Sequence, residues 1–169
     1  MKESEKELQK TNEWKDELKN MMPFLGHRNW IVVTDMAYPL QSKDAITTQY
    51  ANEPYIEVVR EIKNILSEFP HVTPQIYQDR ELSFLNDEIC PEIDELKKDV
   101  SEALSPMKST MLPHEELIST LDSTAEVFKI IIIKTNLTKP YTTIFFRLDC
   151  KYWDAEKQKM LDEIMSGKK

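Results

Sequence analysis

A histidine and an aspartate stand at the two ends of a short apolar run in the segment Leu25-Gly26-His27-Arg28-Asn29-Trp30-Ile31-Val32-Val33-Thr34-Asp35-Met36-Ala37-Tyr38-Pro39. An imidazole titrates near neutral pH and a carboxylate can orient it, a minimal kit for moving protons on a small polar substrate such as a sugar. Opening a sugar ring removes the proton of the anomeric hydroxyl and delivers one to the ring oxygen; closing reverses both. Neither step needs a metal, a nucleotide or a covalent nucleophile, so no cofactor is expected. His27 is the candidate proton donor and acceptor, and positioned acid–base catalysis contributes roughly 10²–10⁴-fold. On residue type alone, other readings stay open. A histidine just past a helix also suits that helix's carboxyl end, and an aspartate that begins a loop can cap a turn through its side chain.

Spacing constrains how the pair could work. A fully extended chain would separate His27 from Asp35 by about 26 Å, at roughly 3.3 Å per residue. Both can serve one substrate only if residues 27–30 fold back, or if one of them comes from another subunit.

The elements that must position these residues follow from patterning. Residues 4–22 read as an amphipathic helix, with Leu8, Trp14, Leu18 and Met21 or Met22 near one face and Gly26 placed to end it. Trp30 to Thr34 is a continuous apolar, β-branched run suited to a strand buried on both faces. Residues 36–53 have no clear period and read as a long loop. Residues 54–68 open on Pro54 and space Tyr55, Val58, Val59, Ile62, Ile65 and Leu66 as a core-facing helix. Val72 to Tyr77 reads as a strand that Pro74 demotes toward a sheet edge. Helices are expected over 80–89 and 91–104, a connector over 105–113, and a short helix from His114. Val127 to Lys134 and Thr142 to Leu148 read as strands, and 154–169 as a peripheral helix. Strands alternating with helices predict an α/β layered domain with a mostly parallel central sheet flanked by helices.

Composition narrows the function classes. The chain has 169 residues, enough for one domain and too few for two comfortable ones. A net charge of −8 disfavours a nucleic-acid partner, whose phosphates are neutralised by Lys and Arg. The two glycines, Gly26 and Gly167, exclude Gly-rich phosphate cradles. No apolar run reaches the ~18 residues of a membrane span, and the start at Met1 shows no secretory pattern, so a cytoplasmic location is expected. Cys90 and Cys150 form no CxxC pattern and read as reduced thiols. His27, His71 and His114 lack ligand spacing for a metal site.

The Leu-Gly-His element running through an apolar strand into Asp35 and a proline-containing loop resembles the signature of the D-ribose pyranase and L-fucose mutarotase (RbsD/FucU) family. A second stretch, Lys134-Thr135-Asn136-Leu137-Thr138-Lys139-Pro140-Tyr141-Thr142-Thr143-Ile144, is similar to that family's closing motif, a Gly-Glu turn followed by a Tyr-x-Asn strand. The resemblance spans residues 14–150. It implies a domain over 14–153, with residues 1–13 and 154–169 as helical additions.

What the resemblance implies about the site is specific. His27 becomes the proton donor and acceptor. Asp35 becomes the substrate-contacting aspartate, His114 the second pocket histidine of the ribose-type branch, and Tyr141 the motif tyrosine. Thr143 stands where the motif has Asn, keeping one hydrogen-bonding hydroxyl but losing the amide's two-sided geometry. Asn136-Leu137 replaces Gly-Glu; Asn can keep a left-handed turn, while Leu loses the acid. The implied partner is a monosaccharide, and the implied assembly a ring-shaped homo-oligomer with pockets near subunit contacts. A relative that binds sugar without turnover, and an acidic module whose terminal helices engage a protein, are the alternatives.

Overall fold

The computed structural model describes residues 13–167. Six strands form one sheet: β1 (Trp30–Thr34), β2 (Ile46–Tyr50), β3 (Val72–Asp79), β4 (Ser109–Leu112), β5 (Ile130–Lys134) and β6 (Ile144–Cys150), in the order β2-β5-β1-β6-β3-β4. β1 runs parallel to β5, β5 to β2, and β3 to β4, while β6 is antiparallel to both β1 and β3. The sheet is therefore mostly parallel, as expected, with a single reversed strand.

Helix α1, described over 13–21, packs with α2 (Tyr55–Ser67) and α3 (Ile93–Leu104) on one face. Helix α4 (His114–Thr124) covers the other, and α5 (Ala155–Met165) follows β6. Period-two alternation explains the division. Ile31 and Val33 of β1 join Ile131, Ile133 and Phe146 beneath Trp14, Val58, Ile62 and Val100. Trp30 and Val32 join Ile130, Ile132 and Phe145 beneath Leu117 and Leu121 of α4. Covering both faces is what permits the uninterrupted apolar runs of β1 and β5.

Several expectations change. The loop read over 36–53 contains β2, whose half-polar sequence Ile-Thr-Thr-Gln-Tyr suits an edge strand beside β5. The connector over 105–113 contains β4. Pro74 does not put β3 at an edge: β4 pairs with β3 only from Ile76 onward, so the proline sits where that side of the strand has no partner yet. The helix read over 80–89 is a 3₁₀ turn over Arg80–Phe84. The left-handed residue after α1 is Arg28 (φ 81°) and not Gly26. Leu8 lies outside the described residues.

Candidate active site

The strand directions bring the carboxyl ends of five parallel strands and the amino end of β6 to one edge of the sheet. Ligands of open α/β sheets bind outside the carboxyl ends of strands. Asp35 directly follows β1, Asp79 ends β3, Lys134 ends β5, and His114 starts α4 two residues beyond β4. Tyr141, Thr142 and Thr143 lead into β6.

His114 is held from three sides. Its backbone N–H donates to both carboxylate oxygens of Glu81, at 3.0 and 3.2 Å, an anionic cap on the amino end of α4. Its Nδ1 lies 3.0 Å from Oδ1 of Asp79, and its ring meets Tyr141 edge-on with centroids 5.7 Å apart. Asp79 is fully buried, and beyond this contact neither of its oxygens has a hydrogen-bond partner among the described residues. The 3.0 Å contact itself is of hydrogen-bond length, but its atoms are not aligned as a hydrogen bond.

Burial pushes the Asp79 carboxyl above the usual carboxylate range; the neighbouring His114 opposes the shift, while Glu81 and Asp35 add to it. Asp35 is also raised, chiefly by burial, against the lowering pull of its own backbone, Lys134 and His114. The Tyr38 phenol is pushed up to about 12 by burial and by the charges of Asp122 and Asp79. Burial pushes the Tyr55 phenol up as well, reinforced by Asp35 and Asp79. Tyr55 donates its hydroxyl to the Thr142 carbonyl, and Thr142 Oγ1 donates to the Lys139 carbonyl at 2.9 Å, which fixes the turn before β6. A cleft of about 450 Å³ opens beside Asp35, between Met36 and Ala37 on one side and Thr138 to Pro140 on the other. Among the described residues, no group of three or more His, Cys, Asp or Glu side chains is arranged to hold a metal ion.

The expected site residues are thus partly brought together. Asp35, His114 and Tyr141 share this edge, with Tyr141 40% exposed and in a left-handed conformation (φ 57°). Asn136 does not take that conformation. Thr143 is 3% exposed and offers little surface to a ligand. His27 lies at the opposite edge, on the amino side of β1, with its side chain 56% exposed and Nδ1 3.5 Å from Oδ1 of Asp149 near the end of β6. Residues 27–30 do not fold back toward Asp35, because Trp30–Thr34 runs extended in register with β5 and β6 between the two ends. His71 is structural: its Nε2 lies 3.0 Å from the Met22 carbonyl and 2.9 Å from that of Leu25. Asp79 escaped the sequence reading. It belongs to no motif, and the only available signal was a lone carboxylate after an apolar alternation, Ile76-Tyr77-Gln78-Asp79.

A family model described as the RbsD / FucU transport protein family matches residues 9–150. The chain belongs to the RbsD/FucU family. Among solved structures, it is similar to RbsD of Bacillus subtilis complexed with D-ribose, with 20% identity, a TM-score of 0.53, and coverage of 79% of this chain and 91% of that one. It is also similar to the fucose mutarotase of Streptococcus pneumoniae in complex with L-fucose, with 18% identity, a TM-score of 0.52, and the same coverages of 79% and 91%. At these identities the likeness is one of fold. The sequence matches no curated protein. Among the described residues, no helix of this RbsD/FucU member is long and apolar enough to cross a membrane.

Proposed function

We propose that this RbsD/FucU member is a monosaccharide pyranase or mutarotase, interconverting cyclic forms of a neutral sugar by general acid–base catalysis. The observation that carries the reading is the gathering of Asp35, His114 and Tyr141 at the carboxyl edge of the sheet, beside an open cleft, in a chain of this family. A half-buried carboxylate, an imidazole and a phenol suit a ligand made of hydroxyl groups, each of which can donate and accept. Asp35 accepts from sugar hydroxyls, and Tyr141 and His114 hold the ring against the cleft. The solved relatives were crystallised with D-ribose and L-fucose, which makes these two sugars the first candidates.

His27 enters this reading from a neighbouring copy. Its exposure and its place at the opposite edge suit a head-to-tail ring, in which the amino edge of one sheet faces the carboxyl edge of the next. There His27 exchanges a proton with the sugar ring. Light scattering tests the arrangement: a monomer that still turned over sugar would refute it.

Binding without turnover is the second reading. The burial of Thr143 favours it, since the position that resembles the motif's Asn contributes little to a ligand surface. NMR saturation-exchange measurements on D-ribose and L-fucose, with the wild type and His27→Ala, separate the two. Exchange lost in His27→Ala supports the enzyme. Ligand line-broadening without exchange supports the binding protein, and no effect on any monosaccharide contradicts both.

A further inference from the structure

Ring opening needs two proton transfers, and one imidazole from a neighbouring copy supplies only one group for them. We infer that the Asp79–His114 pair is the second: Asp79 is a positioning residue that holds the proton on Nδ1 of His114, leaving Nε2 as the basic atom. The inference rests on the sugar reading above for its chemistry, although its geometry stands without it.

Three observations converge on this assignment. Nδ1 of His114 is buried against Oδ1 of Asp79 at 3.0 Å, while the side chain as a whole is 29% exposed, so the exposed part of the ring excludes Nδ1. Among the described residues Asp79 has no other hydrogen-bond partner, so its carboxylate is not committed to holding their backbone or capping a helix. The capping task at α4 belongs instead to Glu81, whose two oxygens take the His114 backbone N–H and fix the ring's origin. An acceptor on one ring nitrogen sets the tautomer and thereby the chemistry of the other. The imperfect alignment of the 3.0 Å contact does not count against the pair, because catalytic hydrogen bonds often tighten only when ligand binds.

The step balances without a further reactant. Nε2 of His114 takes the proton of the anomeric hydroxyl as its oxygen forms the carbonyl double bond to C1. The bond between C1 and the ring oxygen breaks, its electron pair stays on that oxygen, and His27 of a neighbouring copy supplies the oxygen's proton. Closure returns both protons by the reverse path: attack of the same hydroxyl on the other face of the carbonyl exchanges the anomer, attack of a different chain hydroxyl exchanges the ring size, and either way the protein is restored.

The test is ¹⁵N NMR of the imidazoles in the full-length protein, combined with exchange kinetics on D-ribose and L-fucose. The neutral His114 ring of the wild type is expected as the Nδ1–H tautomer. Asp79→Asn, whose amide can donate, is expected to shift the ring toward Nε2–H and to lower kcat by about 10²-fold, the lower end of what a positioned acid–base group supplies, with KM changing far less. His114→Gln should lower kcat to a similar level, and Asp79→Asn on that background should cost little more. A wild-type His114 that is mainly Nε2–H overturns the inference without any variant, as does an Asp79→Asn protein with unchanged tautomer and kcat. If no monosaccharide exchanges in the wild type, the sugar reading fails, while the tautomer result still decides the pairing.

Discussion

Oδ1 of Asp79 and Nδ1 of His114 lie 3.0 Å apart because β3 and β4 run parallel in register, Asp79 opposite Leu112, and deliver both residues to the same edge of the sheet. This juxtaposition buries a carboxylate in a place where the fold gains little from its charge. It has a measurable effect on stability.

Burial raises the folded-state pKa of both Asp79 and Asp35 above the value of an unfolded aspartate. Their stabilising contribution is therefore fully present below the unfolded value and is lost as the pH rises through the folded one. The titratable and charged groups facing them are His114, Glu81 and Lys134, with the Tyr38 and Tyr55 phenols neutral throughout this range. Thermal unfolding should show the wild type losing stability from the ordinary carboxylate range toward neutrality. Asp79→Asn should flatten that slope and match or exceed the wild-type midpoint at pH 7. A variant that is less stable at pH 7 and keeps the full slope would mean the ionised Asp79 is a net stabiliser.

Tyr141 combines a backbone demand with a side-chain one. A left-handed φ of 57° costs a non-glycine residue roughly 1–2 kcal/mol. Tyr141→Gly should keep or raise the unfolding midpoint, Tyr141→Val should lower it because a β-branched residue tolerates this region worst, and Tyr141→Phe should leave it unchanged. Sugar affinity should fall in Tyr141→Phe by several-fold, as for the loss of one hydrogen bond worth about 1 kcal/mol. Calorimetric titration alongside thermal melts checks both halves.

Helix α5 has no buried residue and lies beyond the family match. We propose that residues 154–169 are an addition outside the folding unit. Deleting them should shift stability by no more than about 0.5 kcal/mol, the usual scale for surface changes. A large drop in the unfolding midpoint on deletion would show that the exposed Met160, Ile164 and Met165 are covered in solution.

The sequence was most informative where burial is two-sided. β1 and β5 are apolar at nearly every position, and α2 repeats its apolar face over 13 residues, so each stands out against its neighbours. β2 and β4 did not stand out, because Ile46-Thr47-Thr48-Gln49-Tyr50 and Ser109-Thr110-Met111-Leu112 are short, half-polar edge strands whose existence depends on the partner already in place. The site was divided in the same way. Asp35 and Tyr141 sit in segments whose local pattern is distinctive. Asp79 became visible only once β3 and β4 were paired, since a buried carboxylate is defined by what surrounds it. The distance from His27 to Asp35 was readable as a conflict from extended-chain length alone, and the straight run of β1 keeps the two residues at opposite edges of one sheet.

The most direct test of the central claim is the rate of ring-form exchange of D-ribose and L-fucose, measured by NMR saturation transfer at neutral pH with wild type and Asp35→Asn. Exchange is expected well above the buffer rate for at least one neutral monosaccharide, falling by about 10²-fold or more in the variant, the scale of a lost positioned group in acid–base catalysis. Exchange that is no faster than buffer for every sugar, or that is undiminished in Asp35→Asn, would contradict it.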